Sequence, residues 1–135
     1  MSQFGIQMHA KSDRKSAGNG KKLVSSRDKK RYEFGGYFAA TRASEKTVLV
    51  HERGRGGLLK NKLKHVDVAN VLTKNGYKKA KITGVLESKD NRNFARLAII
   101  TKGSVIQTEL GKAIVTNRPG REGCVNAKLV EEVKA

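Results

Sequence analysis

The residue types best suited to a chemical task in this sequence are lysines and arginines, which recur at short intervals near its start. Nine of them lie between residues 11 and 31, interleaved with glycine, serine and asparagine. Their side chains donate charge-assisted hydrogen bonds to phosphate oxygens, and each phosphate that they neutralise releases condensed counterions. The spacing predicts a polyanion-binding segment, with a solubilising tail or a nuclear-type localisation signal as the alternative. The candidate contacts are Lys11, Arg14, Lys15, Lys21, Lys22, Arg27, Lys29, Lys30 and Arg31.

A second cluster combines arginine with glycine in the run RGRGG at residues 53 to 57, and lysines follow at positions 60, 62 and 64. Glycine allows a close approach of the backbone, while arginine pairs with phosphate or stacks on a base. Because the cluster falls between two predicted strands, we expect a basic loop that clamps phosphates, and a merely solvated loop is the alternative. Its candidate contacts are Arg53, Arg55, Lys60 and Lys62.

The net charge of the chain favours nucleic acid as the partner. Against 12 Asp and Glu there are 29 Lys and Arg, and the resulting formal charge of +17 repels itself unless a polyanion lies beside it. No apolar run approaches the roughly 18 residues of a membrane span, so we expect no membrane partner. A sparser third set of candidate contacts falls on predicted turns of the C-terminal half, at Lys102, Lys112, Arg118 and Arg121.

The aromatic residues are few, and four of the seven cluster between residues 32 and 38. We expect these four to pack the basic segment onto the body of the protein. Proteins that read single-stranded RNA usually present several aromatic side chains on one sheet face. The sequence therefore favours recognition of phosphate geometry and RNA shape over reading of bases.

Nothing in the sequence marks a catalytic or cofactor site. Gly20-Lys21 and Gly111-Lys112 lack the glycine and hydroxyl residues that a phosphate-binding loop needs at fixed spacing. The three histidines are scattered, and the single Cys124, which suits a reducing compartment, is too few for a usual structural zinc site. We expect no enzyme activity, no metal, no cofactor and no small-molecule substrate.

The elements that must position the cations divide the chain into two parts. Residues 1–44 lack sustained periodicity, which predicts a basic arm that is extended or disordered when free. Residues 45–135 carry short alternating patterns, which predict a mostly β domain: a small β-barrel of six or so strands, closed or open. The predicted strands cover residues 47–50, 66–72, 77–87, 94–101, 105–110, 113–116 and 125–129.

Local signals within this domain predict two specific turns. Asn75-Gly76, between alternating segments, is typical of a type I′ hairpin, in which both central residues take positive φ. The run from Arg118 to Arg121 is typical of a type II turn with Gly120 at positive φ. In the strand after the hairpin, Ile82 and Leu86 are predicted to share one face.

The run IITKGSVIQTELGKAIVTNRPGREGCVNAKL, at residues 99 to 129, resembles a known signature. In one order it contains ITKG, LGKA, VT, RPG and a glycine followed by VNA, as do the archaeal and eukaryotic-type S-eight-e proteins of the small ribosomal subunit. The resemblance covers nearly the whole chain and is closest to the compact archaeal form. Departures lie at Ser16–Gly20, where the family usually has TGG, at His51-Glu52, which partly replace basic residues, and at Leu58, where the family usually has Asn.

This resemblance implies a β-barrel with a basic extension that penetrates small-subunit ribosomal RNA. The expected partners are then that RNA and neighbouring small-subunit ribosomal proteins, and the expected location is the cytoplasmic ribosome. Our interpretation is a structural constituent of the small subunit that stabilises folded RNA through contacts of Lys and Arg with phosphates. The alternatives are a ribosome-assembly factor on the same barrel and a free-standing, non-specific RNA binder.

Overall fold

The computed structural model of the protein describes Arg27 and residues 30–130, with the backbone alone at Arg31 and Arg55. The chain divides between Phe38 and Ala39 into two units, and each is considered by itself. In the first unit a 3-10 turn spans Arg31–Glu33. The predicted boundary between arm and barrel after residue 44 stays a prediction.

The second unit begins with a three-stranded sheet. Its strands are β1 (Arg42–Ala43), β2 (Val48–Arg53) and β3 (Leu59–Val66), in the order β1-β3-β2. Strand β1 runs parallel to β3, whereas β2 is antiparallel to it, and a 3-10 turn at Arg55–Gly57 joins β2 to β3. This hairpin presents the glycine-rich cluster at its tip.

Five further strands form a closed barrel in the order β4-β5-β6-β7-β8. Parallel pairing between β4 and β8 closes it, and the other pairs are antiparallel. The predicted mostly β fold with a small barrel is confirmed. The elements of this part are β4 (Val68–Thr73), β5 (Gly76–Glu87), α1 (Arg92–Arg96), β6 (Val105–Thr108), β7 (Gly111–Val115), α2 (Pro119–Glu122) and β8 (Asn126–Leu129).

The barrel interior is filled by small and β-branched side chains. Successive residues of a strand point to opposite faces. Strand β4 accordingly buries Ala69 and Val71, β6 buries Ile106, and β7 buries Ala113 and Val115, each at most 1% exposed. Because the diameter of a barrel grows with its number of strands, an interior enclosed by five strands suits alanine and valine.

Thr41, just before β1, ties the three-stranded sheet to the segment that follows α1. Its side chain is 2% exposed, and its hydroxyl donates a hydrogen bond of 2.6 Å to the carbonyl oxygen of Leu63. Its own carbonyl oxygen accepts from the N–H of Ile100 at 2.8 Å. Two bonds from one buried residue therefore fix the start of β1 against β3 and the approach to β6.

The hairpin predicted at Asn75-Gly76 exists, but its turn differs from the predicted type I′. Gly76 pairs with Thr73 across the strands and takes a φ of +107°, while Asn75 keeps a negative φ. The Thr73 hydroxyl donates to the carbonyl oxygen of Gly76 at 2.7 Å. The β6–β7 hairpin repeats this arrangement with Thr108 and Gly111, at the same 2.7 Å. Because Thr73 pairs with Gly76, the turn is centred on residues 74 and 75, one residue earlier than predicted, and Gly76 belongs to the strand.

The strand predicted over residues 94–101 is wrong in its first part, where α1 forms instead. Asn91 precedes the helix in an extended conformation, and its side chain accepts the N–H of Asn93 at 2.9 Å. Such a side-chain cap satisfies a backbone donor that the first helical turn leaves without a partner. Ala98 then takes a φ of +52° and ends the helix.

The type II turn predicted around Gly120 is also wrong, because α2 begins there. Pro119 occupies the first helical turn, where its missing N–H costs no hydrogen bond. The positive φ falls three residues later than predicted, on Gly123 at +76°, which ends the helix.

Two irregularities in the pairing of β5 with β6 overturn the predicted common face of Ile82 and Leu86. The register shifts between Ile82 and Gly84 and again between Val85 and Glu87. Each extra residue reverses the alternation of side chains. The first shift therefore puts Val85 on the core face with Ile82, and Leu86, which lies in the second shift, is 49% exposed.

We expect Gly123→Ala to lower the free energy of unfolding by about 1–2 kcal/mol, because an L side chain is strained at positive φ. The added methyl group also meets Leu49 Cδ2 at 3.4 Å and Asn61 Cβ at 3.5 Å. Urea denaturation measures the loss. Gly84→Ala is the control, since no atom lies within 4 Å of its added methyl group. Equal losses in both variants would contradict this account.

Candidate nucleic-acid interface

Two described residues of the predicted arm, Arg27 and Lys30, donate hydrogen bonds to Glu33. The guanidinium of Arg27 donates to both carboxylate oxygens of Glu33, each at 2.9 Å, and the backbone N–H of Lys30 donates to the same carboxylate at 2.8 Å. Hydrogen bonding to Glu33 and its charge raise the pKa of Arg27. The ion pair lies at the surface, so a phosphate that binds Arg27 has to compete with an internal carboxylate.

The remaining arm predictions fall on residues whose side chains the structure does not describe. The backbone of Arg31 begins the 3-10 turn. The other predicted contacts lie outside the described residues and stay predictions: Lys11, Arg14, Lys15, Lys21, Lys22 and Lys29.

The predicted basic loop at residues 53–64 is shorter than expected, because β3 begins at Leu59 and places Lys60 and Lys62 on a strand. The β2–β3 register sets Arg53 opposite Leu59 and Glu52 opposite Lys60. Since neighbouring residues of a strand face opposite ways, Arg53 and Lys60 lie on opposite faces of the hairpin. A single phosphate chain on one face of the sheet cannot contact both.

Lys62 has an internal partner. Its ammonium group forms an ion pair with the carboxylate of Glu52 across the β2–β3 ladder, and its side chain is 23% exposed. Exposed ion pairs of this kind contribute little to stability. The pairing nevertheless reduces the positive charge that this face of the hairpin offers to a phosphate.

The tip of this hairpin depends on glycine for its shape. Gly56 and Gly57 take φ values of +71° and +78°, and no atom lies within 4 Å of a methyl group added at either one. The N–H of Gly54 closes the tip by donating to the carbonyl oxygen of Leu58 at 2.7 Å. The backbone of Arg55 sits in this turn. Glycine is therefore required here by backbone conformation, and the open space leaves the tip accessible.

The third set of predicted contacts is divided between two places. Lys112 lies exposed on β7, opposite Gln107 of β6. The other three lie near one another in the fold: Lys102 is in the turn before β6, Arg118 precedes α2 and Arg121 is on it. All three are exposed.

Glu122 lies within this basic group and organises it. Its carboxylate accepts hydrogen bonds from the side-chain amide of Asn117 at 3.0 Å and from the N–H of Arg118 at 3.2 Å. The bond from Asn117 is the largest cause that lowers the pKa of Glu122, followed by the Arg118 N–H, and the charges of Lys102 and Arg118 add to it. The carboxylate fixes the start of α2 and offsets part of the surrounding positive charge.

A further group of lysines, which are not among the predicted contacts, lies on the outer face of the barrel. Lys79 and Lys81 of β5 and Lys128 of β8 are exposed. Strand β4 lies between them, with Asn70 opposite Lys79 and Leu72 opposite Lys128. The run KKAK at residues 78–81 was the available signal in the sequence, because the alternation of a strand puts its second and fourth residues on one face. Nothing local in the sequence places Lys128 beside it.

Two kinds of feature are absent from the described residues, 27 and 30–130. Within that part of the chain no helix is long and apolar enough to cross a membrane. The same part contains no group of three or more His, Cys, Asp or Glu side chains arranged to hold a metal ion.

The fold and the distribution of charge define a small, basic β-barrel protein, and comparison with known proteins gives its family. The family model described as Ribosomal protein S8e matches residues 8–130. Similar curated proteins, each named small ribosomal subunit protein eS8, come from Sulfolobus acidocaldarius (47% identity over 78% of this chain and 84% of that protein) and Sulfurisphaera tokodaii (45%, over 78% and 84%). Another, from Hyperthermus butylicus, is 43% identical over 89% of this chain and 90% of its own length. The chain belongs to the ribosomal protein S8e family, as its C-terminal signature predicted.

We expect Glu122→Gln to destabilise the protein near pH 7 and to have a smaller effect at low pH. Because the folded state lowers the pKa of Glu122 below its usual 4.5, the ionised carboxylate contributes stability above that value. The contribution is lost as the pH falls from 4.5 through the folded-state pKa. Urea denaturation of both proteins, at about pH 7 and about pH 3, measures the difference.

The charge-matched control is Glu109→Gln, which removes an exposed carboxylate from the β6–β7 turn. A stability difference between wild type and Glu122→Gln that stays constant across this pH range would contradict the assigned hydrogen bonds.

Proposed function

We propose that this protein is a structural constituent of the small ribosomal subunit. The observation that carries the proposal is the match to the S8e family over residues 8–130, together with relatives named as small ribosomal subunit proteins that are similar over most of their length. The role is to hold folded RNA in place, and the proposed location is the ribosome in the cytoplasm. Neighbouring small-subunit proteins are the other proposed partners.

The proposed mode of binding is contact between Lys and Arg side chains and RNA phosphates. The excess of 17 positive charges supports it, because each phosphate that is neutralised releases counterions and adds sequence-independent affinity. The division of cations between two faces of the β2–β3 hairpin and the turns around α2 is consistent with RNA on several sides of the protein. Under this proposal the binding site is a dispersed surface, and the chain has no catalytic role.

Co-sedimentation with ribosomal particles tests the proposed role. A structural constituent is expected to remain on mature small subunits in stoichiometric amount after a salt wash. Presence on precursor particles alone would indicate an assembly factor. Comparable affinity for many unrelated RNAs, with no retention on the subunit, would indicate a free-standing RNA binder. Either of the last two results would overturn the proposal.

We expect neutralisation of the arm to flatten the salt dependence of binding to a small-subunit RNA transcript. The variant carries Arg14→Gln, Lys15→Gln, Lys21→Gln and Lys22→Gln. If all four side chains contact phosphates, the slope of log affinity against log salt concentration falls in magnitude by about 3. Filter binding over a series of salt concentrations measures it.

A variant with the same loss of charge serves as the control. Four exposed cations outside the predicted contacts are replaced by glutamine: Lys46, Lys89, Arg92 and Arg96. This variant is expected to change the slope by much less than the arm variant. Equal slopes for the two variants would show that only net charge matters and that the arm makes no particular contact.

A further inference from the structure

Tyr77 occupies an unusual place for an aromatic residue. It lies at the start of β5, directly after the turn of the β4–β5 hairpin. It is 71% exposed, the highest value among the large hydrophobic residues of the described part. It pairs with Leu72 of β4, whose other neighbour is Lys128 of β8. Leu72 faces outward because its neighbour Val71 is buried, so the side chains of this row lie on the outer face of the barrel.

The surroundings of Tyr77 on this face are cationic and polar. Lys79 follows it by two residues on the same strand, about 7 Å along, and Lys128 lies two strands away, about 10 Å to the side. Lys81 is the next outward-facing lysine along β5. The N–H of Glu109 donates to the carbonyl oxygen of Lys81 at 3.2 Å, which brings an acidic residue to that end of the lysine row. None of the outward-facing described residues of β4, β7 or β8 is acidic.

A pair of asparagines lies between the lysines. The amide nitrogen of Asn70 donates to the amide oxygen of Asn126 at 3.0 Å, across the parallel β4–β8 pairing. Among the described residues, the amide oxygen of Asn70 and the amide nitrogen of Asn126 make no hydrogen bond. An acceptor and a donor on two neighbouring strands are therefore left for a base edge or a 2′-hydroxyl, which offer the complementary groups.

The row continues into an apolar depression. A cavity of about 1120 Å³ opens between the β4–β5 hairpin and the ends of β7 and β8. Leu72, Ile114 and Val130 contribute apolar surface to its lining, and Lys78 and Lys128 contribute the aliphatic stems that carry their ammonium groups. An apolar floor with cations at its rim suits the flat face of a base attached to a charged backbone.

We propose that the outer face of β4, β5 and β8 is a second RNA-binding surface, on which Tyr77 stacks against an unpaired base and Lys79 and Lys128 bind the phosphates beside it. The proposal rests on the proposed function, and it adds unpaired nucleotides to the phosphate contacts assigned there. The alternative occupant, another protein, fits less well, because the centres of protein interfaces are depleted in lysine. Stacking on an exposed aromatic ring accepts any base, so this surface needs no particular sequence.

The chain allows Tyr77 to be observed directly, because it has three tyrosines and no tryptophan. In the full-length variant Tyr32→Phe, Tyr37→Phe, Tyr77 is the only tyrosine and can be excited selectively at wavelengths that phenylalanine does not absorb. The probes are a single-stranded oligoadenylate of about 12 nucleotides and a blunt RNA duplex of equal length. We expect the oligoadenylate to quench the tyrosine fluorescence and the duplex to leave most of it.

Affinity measurements separate stacking from charge. Tyr77→Ala is expected to weaken oligoadenylate binding roughly 5- to 150-fold without changing the salt slope, because stacking involves no counterion. Tyr77→Phe keeps the ring and should bind as wild type does. The double variant Lys79→Gln, Lys128→Gln should instead flatten the slope by about 1.4. Leu86→Ala, which truncates a 49% exposed apolar residue elsewhere on β5, is the control.

Two results would overturn the proposal. The first is that Tyr77→Ala binds the oligoadenylate as tightly as Leu86→Ala does, while the oligoadenylate leaves the fluorescence of Tyr77 in the single-tyrosine variant unquenched. The second is that Tyr77 is shielded from solvent in assembled subunits although neither RNA probe changes its fluorescence. This result would indicate that a protein covers Tyr77. Both results leave the proposed function in place as long as the arm variant still flattens the salt slope with the long transcript. If the wild-type protein binds neither the oligoadenylate nor the long transcript, both proposals are overturned.

Discussion

The parallel pairing of β4 with β8 is the constraint on which the described barrel depends. It joins residues 70–72 to residues 126–128, so the whole of β5, α1, β6, β7 and α2 lies within the loop that it closes. Two further bonds reinforce it: the backbone N–H of Asn70 donates to Val125, and its side chain donates to Asn126. Closure gives each barrel strand two neighbours, encloses Ala69 and Val71, and makes the outer faces of β5 and β8 one continuous surface.

Alternation of side chains predicted much of the barrel, and the exceptions have physical causes. The hairpin after β4 and the last strand followed the expected period of two. Leu86 did not, because the register shift between Ile82 and Gly84 reverses the alternation before it, and this shift depends on pairing with a strand about twenty residues away. The helix α1 was missed because the capping bond of Asn91 decides the conformation of an apolar run that suits either element. Strand β3 was missed because its lysines resemble a loop until pairing with β2 is known.

Residue type predicted which side chains carry positive charge, but not which of them act together. The carboxylate of Glu52 engages Lys62, and that of Glu122 lies among the cations around α2; neither relation shows in a count of net charge. Register separates Arg53 from Lys60, although the sequence sets them seven residues apart in one basic cluster. Conversely, barrel closure brings Lys128 near Lys79 from the far end of the chain. Which charged side chains lie together depends on the order and register of the strands, and the linear sequence does not show either.

The order β1-β3-β2 leaves one side of β2 without a neighbouring strand in the described part of the chain. Val48, Leu49 and Val50 are each more than 40% exposed there, so β2 is an edge strand with an apolar surface, the kind of segment that pairs with its counterpart in another molecule. The repulsion between two chains of charge +17 opposes such self-association. Salt that screens this repulsion weakens the protection. The positive charge on which the proposed RNA binding depends thus also opposes pairing of β2 between two free molecules.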